Sequence, residues 1–196
     1  MKTVCVFCGS SSGSDPAYSE AARATGTALV YRGLQLVYGG GKIGLMGALA
    51  DAVLSAGGKV VGVMPRDLAD SEIAHQGLSE LHVVETMHER KARMADLGDA
   101  FIALPGGTGT LEEIFEQWTW AQLGVHLKPC GFLNVKGYFD PLLEMIRKMT
   151  TEKFMRPEYA SMLIVETEPD RLFAKFAAYH PPTRKWSVEG VVAVES

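Results

Sequence analysis

Short apolar runs alternate along this chain with longer stretches in which apolar side chains recur every three or four positions, the marks of strands and amphipathic helices. Val4 to Cys8 reads as a first strand, followed by a Gly/Ser loop from Gly9 to Ser14. Asp15-Pro16 then opens a helix, with Asp15 as N-cap and Pro16 at the first helical position. Gln35 to Tyr38 is a second strand, and Gly39-Gly40-Gly41-Lys42-Ile43-Gly44 leads into a helix through Ser55 that stops at Gly57-Gly58. Lys59 to Met64 is a third strand, closed by Pro65. Leu81 to Val84 is a fourth, with a helix from Met87 to about Leu97. Ala100 to Leu104 is a fifth, followed by Pro105-Gly106-Gly107-Thr108-Gly109-Thr110 and a long helix to about Leu123. Cys130 to Val135 is a sixth, with a helix from Phe139 to about Lys153. Met162 to Val165 reads as a seventh, before a last helix to about Tyr179.

Strands that are apolar throughout, separated by amphipathic helices, predict a parallel sheet covered on both faces. Right-handed crossovers place helices on both sides. The expected fold is α/β: a Rossmann-like, doubly wound, mostly parallel sheet of about seven strands. It forms one domain over residues 1–180, and periodicity is lost in a C-terminal tail, 181–196. In such a sheet the strand-to-helix loops share one edge, and ligands bind there near the point where strand order reverses. The loops starting at Gly9, Gly39, Pro65, Thr86 and Pro105 should therefore open onto a common rim.

Charge narrows the partners. Lys plus Arg number 19 against 23 Asp plus Glu, a net −4 that argues against nucleic acid as partner. No apolar stretch approaches the ~20 residues of a membrane span, and the N-terminal run is too short for a signal peptide. A cytoplasmic protein with no membrane partner is expected. Cys5, Cys8 and Cys130 are an odd, sparse set that does not make a disulfide framework. Cys5 and Cys8 spell C-x-x-C inside a β-run, where side chains three apart point to opposite faces, so they read as small buried hydrophobes. The five histidines show no ligand spacing, and no metal is expected.

Two rim loops are glycine-rich and run straight into helices. Glycine lets a ligand approach the backbone, and a helix N-terminus offers unpaired N–H groups and about half a positive charge. Thr108 and Thr110 add hydroxyls that can donate to phosphate. Gly39-x-Gly41-x-x-Gly44 matches the dinucleotide fingerprint, but it follows the second strand, and the position some twenty residues on is Met64 rather than an acid. Lys42 is followed by Ile43, so neither loop is a Walker A motif.

Glu113 lies about one turn into the helix after the fifth strand. Thr110 and Glu113 also spell a capping box, in which Glu113 would fold back onto the Thr110 N–H; alternatively it points along the rim. In the preceding helix, Thr86 and Glu89 form a second capping box. Arg90, Lys91 and Arg93 stand close to that helix's N-terminus, where cations oppose the dipole. They are either a solvated basic face or a functional cluster.

The stretch from Pro105 to Glu113 fits the pattern P-G-G-x-G-T-x-x-E and so resembles the Lonely Guy family, cytokinin riboside 5′-monophosphate phosphoribohydrolases often described as lysine decarboxylases. Met87-His88-Glu89-Arg90-Lys91 resembles that family's M-H-x-R-K. Cys8-Gly9-Ser10-Ser11, Val37-Tyr38-Gly39-Gly40-Gly41, Gly44-Leu45-Met46-Gly47 and Trp120-Ala121-Gln122-Leu123-Gly124 match as well. The resemblance runs from about Val4 to Tyr179. It implies hydrolysis of the N-glycosidic bond of a nucleoside 5′-monophosphate, AMP or a cytokinin riboside 5′-monophosphate, without a cofactor. It also implies that Glu113 and Arg90 are catalytic. Gly9, Ser10, Gly40, Gly41, Met87, Lys91, Gly106, Gly107, Thr108, Gly109 and Thr110 would bind the nucleotide, with Asp67 and Thr119 as outer substrate contacts. A homodimer with sites near its interface is implied too.

Two rival readings fit the same residues. A non-catalytic nucleotide sensor or carrier would need the glycine loop but not the Glu113–Arg90 pair. A pyridoxal-phosphate decarboxylase would need a Schiff-base lysine, for which Lys42 is the rim residue beside a glycine loop.

Overall fold

The computed structural model describes residues 1–70 and 74–182, so nearly all of the expected tail lies outside the described residues. Seven strands form one sheet: β1 (Thr3–Phe7), β2 (Gln35–Tyr38), β3 (Val60–Pro65), β4 (Glu80–Val84), β5 (Ala100–Ala103), β6 (Cys130–Leu133) and β7 (Leu163–Glu166). The helices are α1 (Pro16–Tyr31), α2 (Gly44–Ser55), α3 (Arg66–Asp70), α4 (Met87–Leu97), α5 (Thr108–Leu123), α6 (Asp140–Thr151), α7 (Pro157–Ala160) and α8 (Pro169–Ala177).

Strand order is β4-β3-β2-β1-β5-β6-β7, and all six pairings are parallel. The chain therefore winds one way from β1 to β4, returns to β5 beside β1, and winds the other way. Right-handed crossovers in opposite directions put α1 and α2 on one face and α4, α5 and α6 on the other. Two apolar clusters record this. Val4 and Val6 pack with Leu29, Leu49 and Phe173, while Cys5 and Phe7 pack with Met94, Ile114, Trp118 and Ile146. Cys8 joins the first cluster and Cys5 the second, the opposite-face placement that β geometry demands. All three thiols are free, and burial pushes each of them up. They are poor nucleophiles.

The helix starts follow local chemistry. Asp15 is extended at the head of α1 and accepts from Ala17 N–H at 2.9 Å, with Pro16 next. Thr86 caps α4 by accepting from Glu89 N–H at 3.1 Å, while Glu89 reaches back to Glu85 N–H at 2.8 Å. Of the two alternatives for Glu113, the Thr110–Glu113 box does not form. Gly107 is the N-cap of α5, extended and with no side-chain cap, so Thr110 is already inside the helix. Its hydroxyl packs against Gly106, where an added Cβ would overlap Oγ1. Elsewhere β6 stops at Leu133, because Val135–Gly137 turns into a short 3₁₀ segment, and β7 sits one residue later than its apolar run suggests.

Candidate active site

Strand order reverses between β1 and β5, and the loops leaving those strands are knitted together: Gly9 N–H donates to Pro105 O at 3.1 Å. Gly106 Cα lies so close to Gly9 that a Cβ on Gly9 would meet it at 3.3 Å. That close approach is why glycine stands at both positions. From Gly107 the chain turns directly into α5, whose first intrahelical bond runs from Leu111 N–H to Gly107 O at 3.2 Å. The earlier N–H groups have no carbonyl within the helix, and with the helix dipole they make an anion seat. Thr108 and Gly109 are exposed there, but Thr110 is 5% exposed, with its hydroxyl turned toward Gly106. On the α1 side of this turn a cavity of ≈ 320 Å³ opens, walled by Gly9, Ser10, Leu45, Gly106, Gly107 and Tyr138.

One turn into α5, Glu113 is 8% exposed and points across the strand ends to α4. There Arg90 Nη1 meets Glu113 Oε1 at 2.9 Å. Arg90 Nε donates to Val63 O at 3.1 Å, fixing the guanidinium over the end of β3. Its Nη2 occupies the space a Cβ on Gly39 would take. The first glycine of the apparent dinucleotide fingerprint is thus the floor beneath an arginine. Burial raises the Glu113 pKa above the ordinary carboxylate range, against the pull of the Arg90 charge. Removing one partner of such a pair leaves an uncompensated buried charge.

Lys91 is also enclosed. Its Nζ bonds Glu112 and lies 3.0 Å from Glu116 Oε1, which ties α4 to α5 beside the catalytic candidates. Arg93 donates to His82 Nδ1 at 2.9 Å. Arg90 and Lys91 are thus engaged between elements, while Arg93, though bonded to His82, remains exposed. Met87 is 45% exposed at the start of α4, Asp67 is exposed on α3, and Ser10 is exposed on the β1–α1 loop. Gly40 and Gly41 are buried at the end of β2, with Gly41 bridged to Ala74. These positions all belong to the strand-end rim. Thr119 does not: it is exposed six residues beyond Glu113, about 9 Å along the α5 axis. Lys42 is exposed on the β2–α2 loop.

Sequence reasoning left out the loop after β6, although the same topological rule puts it on this rim. Tyr138, on that loop, donates its hydroxyl to Gly106 O at 2.6 Å. The signal was a sixth strand followed at once by Gly137-Tyr138. Among the described residues, no cluster of three or more His, Cys, Asp or Glu could hold a metal ion. No helix among them is long and apolar enough to cross a membrane.

Comparison with known proteins identifies the family. The family model described as possible lysine decarboxylase matches residues 46–176. The cytokinin riboside 5′-monophosphate phosphoribohydrolase LOG5 of Arabidopsis thaliana is 49% identical over 195 residues, covering 96% of this chain and 86% of that one. The corresponding Arabidopsis enzyme LOG1 is 46% identical over 197 residues, covering 97% and 92%. Among solved structures, the molybdenum cofactor binding protein of Rippkaea orientalis superimposes with a TM-score of 0.69 at 17% identity, covering 91% of this chain and 97% of that one. The molybdenum cofactor carrier protein of Chlamydomonas reinhardtii gives 0.68 at 19%, covering 91% and 99%. At such identities the likeness is one of fold alone. With near-half identity over almost its whole length, the chain belongs to the Lonely Guy family of cytokinin riboside 5′-monophosphate phosphoribohydrolases.

Proposed function

We propose that this protein hydrolyses the N-glycosidic bond of an adenine nucleoside 5′-monophosphate, plain or prenylated on the base, releasing the free base and ribose 5-phosphate. The observation that carries this reading is the Arg90–Glu113 pair, 2.9 Å apart and enclosed at the rim beside the N-terminus of α5. A nucleotide carrier would gain nothing from a buried carboxylate one turn inside the anion seat.

In the reaction, water adds to C1′ as the C1′–N9 bond breaks, and the base leaves with the bonding electrons and takes up a proton. Positive charge builds on the sugar, as in glycoside hydrolysis. The Glu113 carboxylate stabilises that charge and accepts the proton of the attacking water. Burial raises its pKa, which makes the carboxylate a stronger base than an exposed glutamate. Arg90 holds Glu113 in place and keeps it ionised. The N–H groups at Gly107 to Thr110, with Gly9, Ser10 and Gly106 beside them, seat the 5′-phosphate. Met87, Asp67, Lys91, Gly40 and Gly41 border the ribose and base. Thr119 lies away from this cluster within one chain, and only in a homodimer of the kind the resemblance implies would it meet a substrate. Buried free thiols suit a reducing compartment, in keeping with a cytoplasmic enzyme.

The exposure of Lys42 gives a pyridoxal phosphate no enclosed amine at that loop. Incubation with AMP or isopentenyladenosine monophosphate, followed by chromatography, should yield free base and ribose 5-phosphate in equal amounts. Persistence of intact nucleotide over prolonged incubation with both substrates rejects the proposal. The ratio of kcat/KM for the two names the preferred base.

A further inference from the structure

The loop after β6 is built at some conformational cost. Lys136 sits in the left-handed region (φ 52, ψ 29), and Gly137 follows at φ 72. A lysine adopts that conformation only where its surroundings impose it. The surroundings here are explicit. Lys136 Nζ pairs with Asp15 Oδ2 at 2.5 Å, Asn134 Oδ1 accepts from Phe139 N–H at 2.8 Å, and Asn134 Nδ2 donates to Asp140 Oδ1 at 2.7 Å.

What the turn delivers is Tyr138. Its ring stands edge-on to Tyr18 and Phe139, with centroids 5.7 and 5.0 Å away. Its hydroxyl donates to Gly106 O at 2.6 Å. Tyr138 is 41% exposed, so water could serve that hydroxyl; the bond to a carbonyl is a consequence of placement. The preceding carbonyl, Pro105 O, is held by Gly9 N–H. Two successive carbonyls of the glycine turn are therefore tethered. In a planar trans peptide the C=O and N–H point in opposite directions, and no peptide among the described residues is cis. Holding Gly106 O at Tyr138 aims the N–H of Gly107, the N-cap of α5, away from Tyr138. Glycine on both sides would otherwise let this peptide pivot freely.

We propose that Tyr138 is a positioning residue for the phosphate-binding turn: its hydroxyl fixes the Gly106–Gly107 peptide so that the Gly107 N–H faces the 5′-phosphate. This rests on the reading of the α5 N-terminus as the phosphate seat. It assigns Tyr138 to phosphate affinity, while the bond-breaking step stays with Glu113 and Arg90.

Tyr138→Phe keeps the ring contacts and removes the tether. Calorimetric titration with ribose 5-phosphate should show Kd raised about tenfold, the size of one charge-assisted hydrogen bond lost. KM for AMP should rise by about the same factor, with kcat within about twofold of the parent and the Kd for adenosine unchanged. Equal ribose 5-phosphate affinity in parent and variant overturns the proposal. So does a parallel loss of adenosine affinity, which marks a merely structural role. A parent that binds ribose 5-phosphate yet leaves both AMP and isopentenyladenosine monophosphate intact rejects the hydrolase reading while the tether is still tested; a parent that cleaves nucleotide yet does not bind ribose 5-phosphate rejects the phosphate seat and the tether with it.

Discussion

Arg90 and Glu113, 23 positions apart on α4 and α5, meet at 2.9 Å over the carboxyl ends of the central strands. Neither helix makes this contact alone. It arises because the crossover into β5 brings α4 down the same face as α5, and because Gly39 leaves room for the guanidinium.

The pair's two-pronged geometry makes Arg90 hard to replace. A lysine offers one ammonium and cannot serve Val63 O and Glu113 Oε1 together. Arg90→Lys should lower kcat by about 10²-fold, and steady-state assay of base release measures it. Arg90→Ala should in addition cost about 3–5 kcal/mol of stability, read by denaturant unfolding, because it strands a buried carboxylate.

The pH–rate profile follows from the direction of the Glu113 shift. The active form is the carboxylate, and burial raises its pKa. Activity should therefore fall on the acid side at a pH above the ordinary carboxylate range. In Arg90→Lys, with a poorer partner, that limb should move further up. A limb at the usual carboxylate position means that Glu113 titrates in solvent.

The glycine turn separates packing from binding. At Gly106 a Cβ would overlap Thr110 Oγ1 and come within 2.8 Å of Gly9 N, whereas at Gly107 it meets nothing within 4 Å. Gly106→Ala should lose about 1–3 kcal/mol of stability and Gly107→Ala less than about 0.5 kcal/mol, compared by urea melts.

A stability effect independent of the site is expected at His126. Burial against Phe101, with the Lys128 charge nearby, lowers its pKa to about 4. The unfolded chain then binds the extra proton first. The stabilisation is complete above the unfolded pKa near 6.5 and is lost as pH falls toward 4. For a partly exposed ring this amounts to about 1–2 kcal/mol. Urea melts at pH 7 and pH 4.5 should show a smaller difference in His126→Phe than in the parent.

Much of this architecture was legible in the chain. Apolar runs bounded by glycine and proline placed the seven strands to within a residue or two, since strands buried on both faces must be apolar throughout. Asp15 and Thr86 marked helix starts because capping is local. Local sequence left Glu113 either capping Thr110 or pointing along the rim, and the structure decides for the rim because α5 starts at Thr108, ahead of the threonine that would have capped it. Lys91 between Glu112 and Glu116, and Tyr138 on Gly106, were out of reach. Each joins loops or helices far apart in sequence, and no local pattern encodes such contacts. The Arg90–Glu113 pair was suggested by resemblance, but its geometry came only with the fold.

Catalysis rests on Glu113 acting as a carboxylate on the sugar, and Glu113→Gln, which keeps size and hydrogen-bonding capacity, tests this most directly. Single-turnover release of base from AMP should slow by about 10²–10³-fold, while the Kd for AMP stays within about threefold of the parent. A variant that binds AMP and releases adenine at the parental rate contradicts the account.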